Sequence, residues 1–333
     1  MRISIGVPAY NQGQYLAETL DSLLNQTVPP DEIVVSDNHS TDETPDVLRR
    51  YEGRVRVIRP PAHLPMPDHW SFVGQNLSGD WFSLLSSDDV ADARFVEHLS
   101  RATTRERDAV LVRGGWELIS PSGRSLGYHR LLSTATVTRP PVTFLEQLRH
   151  LKTSIAAFLC RHSAFSDIGG FSSSMRLAFD RDFFLRLSPT GSFITTHRIV
   201  GRYRTGYPVS RRIGRLIDGA HDECVMALDV YPSVARALGL ALEPTLRNAT
   251  EYRLKEFLAL AGETTDLDIR ARVAAELRPM AATVALDRLL DDFVSGRPVR
   301  NAKRIRVVAR GAAVLKAQLG TLAYSVGRLV RDK

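Results

Sequence analysis

The sequence is poor in the features that mark several large protein classes. Its 333 residues include two cysteines, Cys160 and Cys224. Their spacing suggests no disulfide framework, so reduced thiols and a cytoplasmic setting are expected. No uncharged apolar run approaches the roughly 20 residues of a membrane-spanning helix. The chain enters a strand-like run at once, Ile3-Ser4-Ile5-Gly6-Val7. It has neither the apolar core nor the small-residue cleavage site of a secretory leader, and none is expected. There is no fixed-period repeat and no low-complexity tract. No Gly-x-Gly-x-x-Gly follows the first strand, which argues against a dinucleotide oxidoreductase, and no Walker-type phosphate loop is present. Gly123-Arg124-Ser125-Leu126-Gly127 matches the hydrolase elbow pattern, but it lies in the return arm of an expected hairpin rather than between a strand and a helix. Cys160-x-His162 and His221-x-x-Cys224 fit no common zinc spacing.

What is present is ordinary in bulk and basic in balance. Apolar residues make up 44% and charged residues 24%, as in a soluble globular protein. The formal charge is +7, which admits nucleic acid, anionic membrane surfaces or phosphorylated ligands as partners. Arginines gather at Arg202–Arg215 and Arg300–Arg310. No nucleic-acid partner is expected.

The first hundred residues alternate between two periodicities. Ile3–Val7 reads as a buried strand, and Tyr15, Leu16, Thr19, Leu20, Leu23 and Leu24 recur at helical spacing. Ile33-Val34-Val35 is a second strand. Ser40-Thr41-Asp42-Glu43 supplies capping groups for a helix through Tyr51. Val55–Ile58 is a third strand, Asp68–Leu77 a helix and Trp81–Leu85 a fourth strand. Such alternation predicts an α/β fold with a mostly parallel sheet flanked by helices. Further strands are expected at Val110–Val112 and Trp116–Ile119, the latter within a hairpin reaching Tyr128. Others are expected over 155–161, Phe193–Thr196 and Ile199–Arg204, with a short helix over Asp180–Leu187. From about residue 210 the pattern is helical.

Ligands of such sheets sit beyond the carboxyl ends of the strands. Three polar stretches converge there: Pro8-Ala9-Tyr10-Asn11, Asp37-Asn38 and Ser86-Ser87-Asp88-Asp89. Adjacent carboxylates repel unless a positive charge compensates them. A Mg²⁺ or Mn²⁺ ion shared with substrate phosphates is one solution. An N-cap of a helix beginning near Asp92 is the other.

Three segments resemble glycosyltransferase family 2, the nucleotide-sugar-dependent transferases of GT-A fold: "VPAYNQGQYLAETLDSLLNQT", "EIVVSDNHSTDET" and "GDWFSLLSSDDV". The likeness continues through "CRHSAFSDIGGF" and "AFDRDFFLRL", and more weakly through "GRYRTGYPVS". It implies a GT-A-like domain over 1–210 and a helical region over 211–333. It implies an inverting transferase that moves a sugar from a nucleotide-diphosphate donor to a hydroxyl of a glycan, lipid-linked saccharide or small molecule. Pro8, Ala9, Tyr10, Asn11 and Asp37 would serve the nucleotide, with Ser86, Ser87, Asp88 and Arg204 completing the donor site. Asp88 and Asp89 would hold Mg²⁺ or Mn²⁺. Asp180 would be the catalytic base and Asp182 its companion acid. Gly169-Gly170-Phe171 would shape the acceptor pocket. A nucleotide-sugar-binding scaffold and a nucleotidyltransferase are the alternative readings.

The resemblance has gaps. Ser86 stands where the family often has Asp, and Phe179 where it often has Glu. Gly206 stands in place of the histidine of Tyr-Arg-x-His. Arg202, Arg204, Arg211 or Arg212 could supply the missing positive charge to a diphosphate. Near the end, Ile305, Val308, Ala312, Leu315, Leu319, Leu322, Val326 and Leu329 form a heptad-like seam. Internal packing, a homodimer contact and a peripheral membrane contact aided by Arg304, Arg306 and Arg310 are its three readings.

Overall fold

Apolar runs of the sequence become buried strands in the computed structural model. It describes residues 1–297 apart from 132–133, 150–152, 206–208, 242 and 263. The C-terminal seam and Gly206 therefore lie outside the described residues, as do the side chains of Arg211 and Arg212. In chain order the first elements are β1 (Ile3–Ala9), α1 (Gly13–Leu24), β2 (Glu32–Asp37), α2 (Thr44–Arg49), β3 (Arg56–Ile58), α3 (Met66–Gln75) and β4 (Trp81–Leu84). There follow β5 (Val90–Ala91), α4 (Phe95–Ala102), β6 (Ala109–Ile119), β7 (Ser125–His129), β8 (Thr136–Thr138), α5 (Val142–Arg149), β9 (Phe158–Arg161) and α6 (His162–Asp167). Then come α7 (Phe179–Leu187), β10 (Ser192–Arg204), α8 (Val209–Val225), a π-helical turn at Met226–Val230, α9 (Tyr231–Ala237), α10 (Glu243–Ala261), α11 (Leu267–Val284) and α12 (Asp287–Val294). No helix among the described residues is long and apolar enough to cross a membrane.

The strands form one sheet in the order β3-β2-β1-β4-β9-β6-β10-β5, with β7 beside β6 and β8 beside β10. The first four strands are parallel, as expected. All seven residues of β1 are buried, which is why this strand reads as a continuous run rather than an alternating one. Past β4 the sheet is mixed. β9 runs antiparallel to both β4 and β6, and β5, β7 and β8 are antiparallel additions. The hairpin is present, pairing Trp116 with His129 and Glu117 with Tyr128.

Two expected pairs of strands are single long strands. β6 carries Arg113 through its middle, where the side chain is buried and its Nε donates to Thr195 Oγ1 at 2.9 Å. β10 runs from Ser192 to Arg204 through register shifts against β6 between Thr195 and Gly201, with His197 and Arg198 exposed at the irregularity. The strand expected over 155–161 begins only at Phe158.

The chain divides into two compact units. One comprises Met1–Thr143, Lys152–Ser173 and Arg186–Thr205, and the other Phe144–Leu151, Ser174–Leu185 and Gly206–Lys333. The first contains the sheet. In the second, α11 packs on α8, α10 and α12, burying Leu254, Phe257, Val273, Leu277, Met280 and Phe293. Asp266 starts α11 by accepting the N–H groups of Asp268 and Ile269.

Candidate active site

The loops after β1 and β2 are laced together at the carboxyl edge of the sheet. Asn11 adopts a left-handed backbone (φ 50°), a conformation asparagine tolerates better than most residues. Its N–H donates to Ser40 Oγ at 3.0 Å, and its side-chain oxygen accepts the Thr41 N–H at 2.8 Å. Asp42 accepts the N–H groups of Gly13 and Thr44 at 2.9 and 3.0 Å, so one carboxylate serves the starts of α1 and α2. Asn11 thus shapes the edge rather than standing free on it.

Pro8 and Ala9 are buried within β1, opposite Ser36 and Asp37 of β2. Tyr10 is 46% exposed, and its ring meets that of His63 edge-on at 4.7 Å. Asp37 is buried, accepts the Ser40 N–H at 2.9 Å, and faces the Arg59 guanidinium at 3.5 Å. Asp37 and Arg59 border a cavity of about 570 Å³ whose apolar wall includes Leu48, Val57 and Ile58. Beneath Asp37, His69 of α3 is buried, with Nε2 2.9 Å from Ser36 Oγ. Burial drives the His69 pKa down to about 4, against the pull of Asp37 in the other direction.

The loop after β4 is a tight turn gripped from two sides. The Asp89 N–H donates to Ser86 O at 3.0 Å, and Ser86 Oγ donates to Asp88 Oδ1 at 2.6 Å. The serine before the acids therefore orients the first of them. Thr19 Oγ1, on α1, lies 3.0 Å from Ser87 O and 2.7 Å from Asp89 O. Arg204, at the end of β10, reaches in from the other side. Its N–H donates to Asp89 Oδ1 and its Nε to Asp88 O, both at 2.7 Å.

Neither aspartate caps a helix. β5 intervenes, and α4 starts at Phe95 with Arg94 as its capping residue. Asp88, Asp89 and Ser87 are all buried. Burial and the neighbouring charge of Asp88 push the Asp89 carboxyl well above the usual range, with Arg204 opposing. Asp89 Oδ2 has no hydrogen-bond partner among the described residues.

These features fit a hard divalent cation. Two oxygen-bearing acids lie side by side, one has an unsatisfied oxygen, and positive charge there would relieve both desolvation and repulsion. No group of three or more His, Cys, Asp and Glu side chains is gathered among the described residues. One or two carboxylates are the usual protein share of a Mg²⁺ ion that is also held by substrate phosphates.

Arg204 was expected at the donor, but its guanidinium is turned inward. It is 2% exposed, bonds Ser120 O and Pro121 O, pairs with Glu18, and lies 4.5 Å over the Tyr15 ring. Arg202 is likewise held by Glu117 and Gly123 O. Gly169 and Gly170 both have left-handed backbones (φ 77° and 73°), which explains the need for two glycines. Phe171 after them is buried against Trp70 and Phe165.

In the second unit, Asp180 occupies the first turn of α7, partly exposed, with Oδ1 accepting the Arg181 N–H at 2.8 Å. Asp182, two residues further in the same turn, is buried.

Sequence reasoning missed the supporting groups Glu18, Arg59, His63 and His69. It noted Thr19 only as part of an apolar stripe. A hydroxyl on the buried face of an amphipathic helix was the available signal, since it must find an acceptor.

Residues 4–180 match glycosyl transferase family 2. An uncharacterized glycosyltransferase of Rickettsia felis is 29% identical over 188 residues, covering 56% of this chain and 31% of that protein. The chondroitin synthase of Pasteurella multocida is 27% identical over 202 residues, covering 59% of this chain and 20% of the synthase. The chain thus spans a third or less of the length of these relatives. Among solved structures, residues 1–349 of Staphylococcus aureus TarS in complex with UDP align with a TM-score of 0.56 at 16% identity, covering 91% of this chain and 92% of that one. The mannosyltransferase PcManGT of Pyrobaculum calidifontis, in complex with GDP-Man and Mn²⁺, aligns with a TM-score of 0.52 at 18% identity, covering 88% and 86%. At these identities the structural likeness shows the fold, the GT-A arrangement expected from the sequence.

Proposed function

The chain belongs to glycosyl transferase family 2, and from that premise we propose that it transfers a sugar, with inversion, from a nucleoside-diphosphate donor to a hydroxyl. The acceptor is a glycan, a lipid-linked saccharide or a small molecule. The observation that carries this reading is the meeting of Tyr10, Asp37 and the Asp88 turn at the carboxyl ends of β1, β2 and β4. Tyr10 and the cavity beside Asp37 and Arg59 receive the nucleoside. An exposed aromatic face, an apolar wall and a buried acid suit a base and a ribose.

Asp88 and Asp89 would hold Mg²⁺ or Mn²⁺. When bound there, the ion neutralises charge developing on the departing diphosphate. The protein's own part is to fix the carboxylates before substrate arrives. Ser86 orients Asp88 from within the turn, and Thr19 and Arg204 hold the turn's carbonyls. We read Arg204 as the support of this turn rather than as a ligand of the diphosphate, because its donors are already committed.

We assign Asp180 as the base that takes the proton of the attacking hydroxyl. Deprotonation concerted with attack suits a carboxylate, because no free alkoxide forms. Its partial exposure supports it over Asp182, which is buried. The nucleotide diphosphate leaves as the acceptor oxygen bonds to the opposite face of the anomeric carbon, and this single displacement inverts it.

Calorimetric titration with UDP, dTDP and GDP, with and without Mn²⁺, tests the donor site in the wild type and in Asp88→Ala. Metal-dependent binding of one nucleotide, lost in the variant, is expected. Absence of binding to all three overturns the reading.

A further inference from the structure

The helical part of the chain holds two adjacent buried acids, Asp222 and Glu223 of α8, outside the residues that match the family. Both point their chemistry at one short segment, the start of α7. Asp222 Oδ1 accepts the Arg176 N–H at 2.9 Å, and its Oδ2 accepts those of Leu177 and Ala178 at 2.7 and 2.6 Å. Three successive backbone donors on one carboxylate fix the path of the chain there. Ala178 is also the residue whose carbonyl accepts the Asp182 N–H and so opens the helix.

Glu223 acts one step further along. Its Oε1 accepts from Arg181 Nη1 at 2.9 Å, while Arg181 Nη2 donates to the Tyr231 hydroxyl at 2.5 Å. Arg253 of α10 holds Glu223 from the other side and also pairs with Glu256 at 2.8 Å. Asp180 stands between the two anchored points, Ala178 and Arg181.

We propose that Asp222 and Glu223 are positioning residues for Asp180, a clasp through which the helical region sets the orientation of the catalytic base. This rests on the reading of Asp180 as that base. Apolar side chains could pack α7 against α8 at lower desolvation cost. They could not fix three consecutive backbone amides and the guanidinium beside Asp180. Directional hydrogen bonds define orientation to the tolerance a base needs, and a small misplacement of a reacting group is costly in rate. The clasp also gives α8 and α10, which lie beyond the residues 4–180 that match the family, a part in the reaction.

The test combines amide exchange with a double-mutant cycle on the full chain. In Asp222→Asn, exchange over residues 176–182 is expected to quicken about tenfold, while the strands keep their protection. Unchanged protection of that segment overturns the clasp. Turnover is read as nucleoside diphosphate release from whichever of UDP-GlcNAc and GDP-mannose the wild type consumes with Mn²⁺. Asp222→Asn and Glu223→Gln are each expected to lower kcat about tenfold or more, with donor KM and nucleotide affinity unchanged.

The cycle separates positioning from general damage. In an Asp180→Asn background, Asp222→Asn is expected to cost nothing further, because its effect runs through Asp180. An equal loss in both backgrounds overturns the proposal. If Asp180→Asn itself leaves turnover intact, the assignment of the base has failed, and with it the premise. If Asp180→Asn lowers turnover while Asp222→Asn and Glu223→Gln keep the wild-type kcat, only the clasp has failed. Glu223→Gln, which keeps an acceptor for Arg181, serves where Asp222→Asn does not fold.

Discussion

The backbone N–H of Arg204 donates to Asp89 Oδ1 across 115 positions of sequence, at 2.7 Å, while the same residue's Nε donates to Asp88 O. One residue at the end of β10 thus holds both members of an acidic pair that repels itself. The first bond is made by the main chain and survives any substitution except proline. The second belongs to the side chain.

Arg204→Met is therefore expected to spare Asp89 and release Asp88. The carbonyls of Asp88, Ser120 and Pro121 all lose their guanidinium donor, at a cost of roughly 2–4 kcal/mol in folding stability. Metal-dependent nucleotide affinity should fall about tenfold, because the turn loses its grip on the carboxylate beyond it. Urea denaturation and calorimetry measure the two effects. A large loss of metal-independent nucleotide affinity with no loss of stability would mean that the arginine contacts the diphosphate after all.

Ser86→Ala removes the hydroxyl that donates to Asp88 Oδ1. A hydrogen bond to a charged group contributes roughly 1.5–3 kcal/mol, and the partial exposure of Ser86 places this one at the lower end. The expected outcome is weaker Mn²⁺-dependent nucleotide binding by severalfold, with binding in chelator unchanged. Ser86→Asp should tighten Mn²⁺ binding and lower stability, since it adds a third negative charge to a pair already short of compensation.

Much of this arrangement could be read from the sequence, for a physical reason. Strands buried on both faces leave unbroken apolar runs, and the parallel order of β1, β2 and β4 places their polar carboxyl ends together. The breaks came where a buried polar residue satisfies itself at long range. Arg113 divides the apolar run of β6 in the sequence, yet it sits inside the sheet bonded to Thr195, 82 positions away. The inward partners of the Arg204 guanidinium, Glu18 above all, are distant in sequence and so could not be read beside it. Asp222 and Glu223 stand between His221 and Cys224 on α8. Two acids beside Ala220 and Cys224 on the buried face of α8 were a signal that two buried charges needed partners.

His69 makes stability depend on acid. Its pKa falls from 6.5 to about 4 on burial beside Ser36. The unfolded chain therefore binds the proton more readily than the folded one. Stability from this group is fully present above pH 6.5 and is lost as pH falls toward 4. The size is roughly 3 kcal/mol. His69→Asn should flatten the stability profile between those limits, measured by urea denaturation at a series of pH values. An unchanged slope would mean that the acid sensitivity belongs to other groups.

Glu223 is the charge on which the second unit's buried network turns. Burial opposes its ionisation, but the guanidiniums of Arg181 and Arg253 outweigh that and hold its carboxyl below the usual range. Glu223→Ala leaves Arg181 and Arg253 facing each other across the gap, with Glu256 as the remaining acid on Arg253. Breaking a buried pair from one side costs about 3–5 kcal/mol. The same figure is expected here from denaturant midpoints. Removing Arg181 as well, in Arg181→Met/Glu223→Met, should recover part of the loss, because apolar groups of similar volume then replace two charges rather than stranding one. Recovered stability without recovered turnover would separate the network's two contributions: the packing of α7 needs only volume there, whereas the placement of Asp180 needs the ion pair itself.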